Sequence, residues 1–341
     1  MRRFALPLPR MAATDLVRFP VRAPAALSRL GRAAKQVRPD VIHVQCFSSN
    51  GVYAAALCAI TGIPCIVTLQ GETFMDDNDI YEHSRVLPTA LRVGLRRAKA
   101  VTGCSRCVLN DAERRFGLGP GIGQVIPNGV DVASSESQLG LDLPFARFVL
   151  SIGRVVEKKG FDLLLHAFER VAANDREVGL VIGGDGAERE ALAQRTEALG
   201  LGSRVVFPGT LSRLQVAWAM AHASVFVLPS RIEPFGIVVL EALRAGRPVV
   251  VSSRGGAPEI VRDQQDGLVV DPFDTRAMAT AIARLLDDDG LRRRLSAAAV
   301  LRARDFSWDV IAERYRRIYG DVLGESGMSV GGATASGEQA E

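Results

Sequence analysis

Short apolar runs rich in β-branched residues alternate along this chain with longer amphipathic stretches of helical length. This alternation is typical of repeated βαβ units, in which parallel strands lie between layers of helices. In the first third, strands are predicted over 41–44, 64–69, 100–102 and 124–126, and helices over 24–35, 50–60 and 87–97.

After a polar stretch at 134–137 the pattern restarts, and it is stronger there. The predicted strands are 148–152, 179–182, 205–207, 225–228, 248–251 and 268–270. Helices are predicted over 160–174, 188–199, 211–222, 237–245 and 275–287. These elements form a complete doubly wound domain between about 145 and 290. One more helix is predicted over 307–319, and the Gly/Ser/Ala/Glu-rich segment after it is expected to be disordered.

The composition is that of a globular protein, with 48% hydrophobic and 23% charged residues. The net charge of +4 is too small to indicate nucleic acid as a partner. Basic residues nevertheless form two groups, and these predict contact with an anionic membrane surface or a phosphorylated acceptor. The alternative is a solvated helix face. The two groups are Arg2, Arg3, Arg10, Arg18, Arg22, Arg29, Arg32, Lys35 and Arg38, and Arg85, Arg92, Arg96, Arg97 and Lys99.

The five cysteines are an odd number, and three of them lie in apolar segments. This predicts reduced thiols in a cytoplasmic protein. Cys104 and Cys107 have CxxC spacing, but without a second pair they predict no metal site. No secretory signal and no membrane-spanning run is present, so contact with a bilayer is expected only at its inner surface.

The segment 229–241 follows a predicted strand and opens a helix, so free backbone N–H groups point out of the carboxyl end of the strand. Gly236 lets the backbone approach a ligand, while Glu233 and Glu241 offer carboxylates to sugar hydroxyls. This arrangement predicts a site for a phosphorylated sugar. The alternative is an ordinary helix start with a glutamate at the positive end of the helix dipole.

A second loop, 153–160, also lies between a strand and a helix and carries Arg154 and Lys159, which are suited to phosphate. A third, Gly183-Gly184-Asp185-Gly186, makes tight turns at a strand end and is weak evidence by itself. The chain contains neither GxGxxG nor GxxxxGK[ST], which weighs against dinucleotide and P-loop sites.

Taken together, these motifs resemble the retaining glycosyltransferase family 4, and the resemblance covers about residues 38 to 320. The matching segments are RPDVIHVQ at 38–45, TGIPCIVTLQGE at 61–72, PNGVD at 127–131, GRVVEKKG at 153–160, GGDG at 183–186, VVFPG at 205–209, the Glu-x7-Glu pair at 233–241, GGAPEIV at 255–261 and DGLVVDP at 266–272.

The resemblance implies an α/β GT-B fold, in which two Rossmann-like doubly wound domains face a cleft. The expected division is an acceptor-side domain over 1–130, a sugar-nucleotide domain over 131–305, a helix over 306–322 that packs back on the first domain, and a disordered tail over 323–341. The implied reaction transfers a sugar from a UDP- or GDP-linked donor to a glycan, lipid or small molecule with retention of configuration, without a metal or other cofactor.

The resemblance also implies the residues of the site. The catalytic set is Arg154, Lys159 and Glu233. Donor-binding residues are Gly153, Gly184, Val206, Phe207, Phe235, Gly236, Ile237 and Glu241. Acceptor-side residues are Gln70, Gly71 and Glu72.

Two features depart from the family pattern. Gln70 stands where many members have histidine, and glutamine cannot share a proton as histidine does. Only about 38 residues precede the PDVIHV strand, so the first domain is expected to lack its first strands, to expose apolar sheet edges and to need a partner or be poorly soluble. Two alternatives stay open: an inactive or truncated nucleotide-sugar-binding relative, and an epimerase or phosphorylase on the same scaffold.

Overall fold

The computed structural model describes residue 6 and residues 13–76, 80–84, 86–132 and 140–324, with side chains in the first long helix described from Arg22 onward. The predicted tail therefore lies outside the described residues from 325 to 341. The side chains of Arg2, Arg3, Arg10, Arg18 and Arg85 lie outside them as well.

The first domain is built on a parallel sheet of four described strands in the order β1-β2-β3-β4. Every residue of β2 is buried, because helices cover the sheet on both faces. The elements, in chain order, are α1 (Ala13–Val37), β1 (Ile42–Gln45), α2 (Ser49–Thr61), β2 (Cys65–Leu69), α3 (Glu72–Met75), α4 (Ile80–His83), α5 (Val86–Arg97), β3 (Ala100–Gly103), α6 (Arg106–Phe116) and β4 (Gln124–Val125).

The second domain has a parallel sheet of six described strands in the order β10-β9-β8-β5-β6-β7. Strands β6, β8 and β9 are buried throughout, as expected for apolar runs between two helix layers. The elements are β5 (Arg147–Ile152), the 3₁₀ turn Glu157–Lys159, α7 (Phe161–Asn174), β6 (Val178–Gly183), α8 (Arg189–Ala198), β7 (Val205–Gly209), α9 (Arg213–His222), β8 (Val225–Leu228), α10 (Ile237–Arg244), β9 (Val249–Ser252), α11 (Ala257–Ile260), β10 (Leu268–Val270), α12 (Thr275–Asp287) and α13 (Asp289–Arg304).

The last helix, α14 (Trp308–Leu323), returns to the first domain. Its Ile311 and Ile318 pack with Ile66 of β2 in one apolar cluster. Above that cluster, Tyr319 Oη lies 2.8 Å from Nδ1 of His43, a ring whose pKa is lowered by burial. These contacts hold α14 on the sheet of the first domain.

The predicted fold class, α/β with two Rossmann-like domains, is confirmed, and the strands of the second domain fall close to their predicted positions. The helix predicted over 24–35 is longer and extends over Ala13–Val37, with Pro20 and Pro24 inside it. Helices α6 and α13 were not predicted, nor were the four-residue helices α3, α4 and α11. The predicted boundary at residue 130 falls between β4 and β5 and stays a prediction.

Candidate active site

Strands β5 and β8 lie side by side in the middle of the second sheet, and the chain leaves them in opposite directions. In doubly wound sheets such a switch point opens a crevice at the carboxyl ends of the strands. The loop after β5 carries Lys159, and the loop after β8 carries Glu233. Lys159 Nζ lies 2.6 Å from Glu233 Oε2, and the two side chains are only 14% and 7% exposed.

The same carboxylate has a further partner. Ser230 Oγ donates a hydrogen bond to Glu233 Oε2 at 3.0 Å, and both residues are buried. The ion pair balances two charges that would be costly to bury separately, so the crevice holds one carboxylate and one ammonium group in a fixed geometry.

The residues after Glu233 present backbone to the crevice. The Phe235 ring is buried 6.2 Å from the Phe306 ring, so a ligand can reach only its main chain. Gly236 precedes the first residue of α10, Ile237, whose side chain is 48% exposed. Unpaired N–H groups at a helix start attract anions, and a buried cation beside them strengthens that preference.

Arg154 lies in the same loop as Lys159 but reaches the opposite wall of the cleft. Its Nη2 donates to the carbonyl of Met75 in the first domain at 3.0 Å. Lys158 Nζ donates to the neighbouring carbonyl of Asp76 at 3.2 Å. The loop after β5 therefore bridges the two domains in this structure.

The remaining donor-side residues lie on either side of this centre. Gly153 N–H donates to Gly183 O at 3.0 Å, which joins the ends of β5 and β6. Val206 and Phe207 are half-buried in β7, two strands away from β5. Burial raises the pKa of Glu241 in α10, although nearby Arg244 and Arg213 oppose the shift. A nucleotide that touches all of these residues would run along the carboxyl edge of the sheet.

On the first-domain wall, Asn128 Nδ2 donates to Gln70 Oε1 at 3.0 Å. Glu72 accepts N–H groups from Phe47 at 2.5 Å and from Gln70 at 2.7 Å. Its pKa is raised by burial, against the effect of these hydrogen bonds. Glu72 thus ties two loops together, whereas Gln70 is held by its oxygen and is left with N–H groups to donate.

Two family models match this chain: Glycosyl transferases group 1 over residues 145–302 and Glycosyltransferase Family 4 over residues 5–134. A phosphatidyl-myo-inositol mannosyltransferase of Mycobacterium leprae is 31% identical over 333 residues, covering 96% of this chain and 84% of the relative. The chain belongs to the family 4 glycosyltransferases. A D-inositol 3-phosphate glycosyltransferase of Frankia alni is 30% identical, over 85% of this chain and 76% of that protein.

Solved structures agree with the fold of this glycosyltransferase. Sucrose-phosphate synthase from Thermosynechococcus elongatus superposes with a TM-score of 0.76 at 24% identity, covering 89% of this chain and 78% of that one. Anabaena HepE, solved in complex with UDP and glucose, superposes with a TM-score of 0.73 at 22% identity, covering 87% and 82%. Both likenesses show the two-domain GT-B fold.

Several residues around the site were not predicted from the sequence. Ser230 stands three residues before Glu233, and Asn128 stands inside the PNGVD motif, yet neither received a role. Gly255 and Gly256 were matched as family motif residues only. The sequence motifs that contain these residues could have indicated them, but their contacts are visible only in the folded structure.

Along the described parts of the chain, no helix is long and apolar enough to cross a bilayer.

Proposed function

We propose that this glycosyltransferase transfers the sugar of a nucleoside diphosphate sugar to an acceptor hydroxyl with retention of configuration. The observation that carries the proposal is the buried Lys159–Glu233 pair at the β5/β8 switch point, beside the start of α10. It combines a cation for a leaving diphosphate with a carboxylate for sugar hydroxyls. Retention rests on membership of family 4.

In the proposed reaction, negative charge develops on the diphosphate as the bond to the sugar breaks. Lys159 and Arg154 stabilise that charge, together with the amides of Phe235, Gly236 and Ile237. Positioned cations of this kind take the place of a metal ion, so turnover is expected to need no metal or other cofactor. Arg154 exchanges the Met75 carbonyl for a phosphate oxygen when the donor binds.

The nucleotide is proposed to lie along the strand ends, with Glu241 accepting hydrogen bonds from ribose hydroxyls. Gly153 and Gly184 leave room for the diphosphate, and the β7 segment with Val206 and Phe207 lies along the base. The structures of HepE name UDP as their ligand, and UDP is accordingly the first nucleotide to test, with GDP the second.

The acceptor is proposed to lie against Gln70, Gly71 and Glu72 on the first-domain wall. Two relatives carry an inositol acceptor in their names, one as a membrane lipid and one as a phosphate ester. A cyclic polyol, with or without phosphate, is the first acceptor class to screen.

A peripheral contact with an anionic membrane surface is a separate part of the proposal. Helix α5 has no acidic residue and exposes Arg92, Arg96 and Arg97 around Val93, which is 42% exposed. Such a face suits acidic headgroups. Co-sedimentation is expected with vesicles containing phosphatidylglycerol but not with phosphatidylcholine alone. It should be lost in R96E/R97E and kept in R293E/R294E, an equal charge change on α13. Binding that survives R96E/R97E would exclude α5 as the contact.

The donor site is tested by calorimetric titration with UDP, GDP and ADP, and by release of sugar from the matching nucleotide sugars with and without acceptor. Arg154→Ala and Glu241→Ala are expected to weaken binding of one nucleotide about ten-fold or more. The matched control is Arg176→Ala, an exposed arginine at the opposite end of the sheet. Folded protein that binds none of the nucleotides would overturn the proposal.

The same experiments separate the alternative functions. An inactive relative would bind a nucleotide sugar and release no sugar under any condition. An epimerase would convert the donor sugar and leave it attached to the nucleotide, whereas a phosphorylase would need free phosphate.

A further inference from the structure

The loop between β3 and α6 of the first domain touches the donor loop of the second. Ser105, with 0% of its surface exposed, donates from Oγ to the carbonyl of Pro234 at 2.5 Å. The same hydroxyl accepts the N–H of Val108 at 3.3 Å as the N-cap of α6. Its single proton and an acceptor site are therefore both engaged, one toward each domain.

Pro234 follows Glu233 directly, and the peptide between these two residues has contacts of its own. Gly256 N–H donates to Glu233 O at 2.7 Å. A Cβ on Gly255, where φ is 102°, would lie 2.0 Å from that same oxygen, and a Cβ on Gly256 would lie 2.3 Å from Pro234 O. The backbone that carries the Glu233 carboxylate is thus held between Ser105 and the two glycines.

A second contact joins the same helix to the second domain. The Glu259 carboxylate accepts the N–H of Arg106 at 2.8 Å and the N–H of Cys107 at 3.4 Å, at the N-terminus of α6. A negative charge is favourable at this end of a helix. The segment that carries Glu259 is itself fixed, because Arg302 donates to the carbonyls of Glu259 and Ile260 at 2.9 and 2.8 Å.

We propose that Ser105 and Glu259 form an interdomain clasp that positions Glu233 for transfer only while the two domains are closed. Both are positioning residues, since the hydrogen bonds that they make between the domains are to backbone groups. The inference rests on the proposed function for the role of Glu233. Arg154 and Glu241, which are proposed to hold the diphosphate and the ribose, make none of the clasp contacts, so the clasp is expected to act mainly on turnover and much less on nucleotide affinity.

The kinetic test compares Ser105→Ala, Glu259→Gln and the double variant. Each single variant is expected to lower kcat for sugar release about ten-fold while the Kd for UDP changes less than two-fold. In the double variant, the fold-decrease in kcat should be smaller than the product of the two single decreases, because both contacts hold the same end of α6. The control is Asp288→Ala, which removes the N-cap of α13 at the end of α12 remote from the cleft. It should lower the melting temperature by a similar amount and leave kcat unchanged.

Hydrogen exchange provides a second readout that does not require activity. Glu259→Gln should speed exchange at Arg106 and Cys107, and Ser105→Ala should also speed exchange at Gly256, whose N–H donates to the carbonyl of Glu233. Unchanged exchange at both places, or a fall in kcat matched by Asp288→Ala, would overturn the clasp. Loss of UDP binding by the unaltered protein would instead overturn the proposed function, and the exchange result would still decide the clasp.

Discussion

Lys159 Nζ lies 2.6 Å from Glu233 Oε2, although 74 residues separate the two in the chain. The two residues lie in the loops that follow β5 and β8 at the switch point, and each side chain is largely shielded from solvent with the other as its charge partner. The pair therefore joins these two loops at the centre of the proposed site.

The first prediction concerns the stability that depends on this pair. Lys159→Met leaves the Glu233 carboxylate buried without its cation, and the free energy of unfolding is expected to fall by about 3 kcal/mol. Lys99→Met is the matched control, because Lys99 is exposed, and it should cost under about 1 kcal/mol. Urea denaturation of both variants measures the difference. An equal decrease in the free energy of unfolding in both variants would mean that the Lys159–Glu233 ion pair does not stabilise the fold.

The sequence was sufficient to predict the parallel strands of the second domain because each is a short β-branched run closed by a glycine or proline turn. It was also sufficient to place Lys159 and Glu233 in loops at strand ends. The contact between Lys159 and Glu233 could not be predicted, because the hydrophobic pattern does not show which strands are neighbours in the sheet. Ser105 and Glu259 were missed for the same reason, being 154 residues apart and in different domains.

The second prediction concerns pH. Burial raises the pKa of Glu72 above its unfolded value, so the folded state holds this proton at a pH where the unfolded chain has already released it. The contribution of Glu72 to the free energy of unfolding therefore falls as pH rises from the unfolded pKa to the raised one.

Urea denaturation from pH 4 to 8 measures this effect as the unfolding free energy of the wild type minus that of Glu72→Gln. This difference should decrease as pH rises from the unfolded pKa to the raised one, and it should stay constant above that pH. Gln265→Ala, which removes no titratable group at an exposed position, is the control and should show no such slope. A difference that grows in favour of the wild type with rising pH would contradict the assignment.

The third prediction concerns Gln70. Asn128 donates to the Oε1 of Gln70, so this side chain is held by its oxygen and the Nε2 group is the part that is proposed to donate to the acceptor. Asn128→Ala should free this side chain and slow sugar release about ten-fold, with the Kd for UDP unchanged because the nucleotide is proposed to bind the other domain. Asn110→Ala, an exposed asparagine on α6, serves as the control. A parallel loss of UDP affinity would show that Asn128 acts on the fold of the donor site instead.

The fourth prediction concerns Gly184, which is proposed to contact the diphosphate. It separates two effects of a substitution there: a steric clash with a neighbouring loop and the cost of a positive φ. Gly184 has φ 129°, and a Cβ there would lie 1.9 Å from the carbonyl oxygen of Gly153. Gly200 also has a positive φ, 68°, but a Cβ there would meet nothing within 4 Å. Alanine at Gly200 therefore carries only the conformational cost, about 1 kcal/mol.

Alanine at Gly184 must in addition push apart the loops after β5 and β6, which lie at the proposed donor site. We expect Gly184→Ala to weaken UDP binding at least ten-fold in calorimetric titration, while Gly200→Ala binds UDP like the wild type. The melting temperature of Gly184→Ala should also lie well below that of Gly200→Ala. If both variants bound UDP normally, the diphosphate would have to lie away from the Gly153–Gly184 contact, and the proposed course of the donor along the strand ends would be wrong.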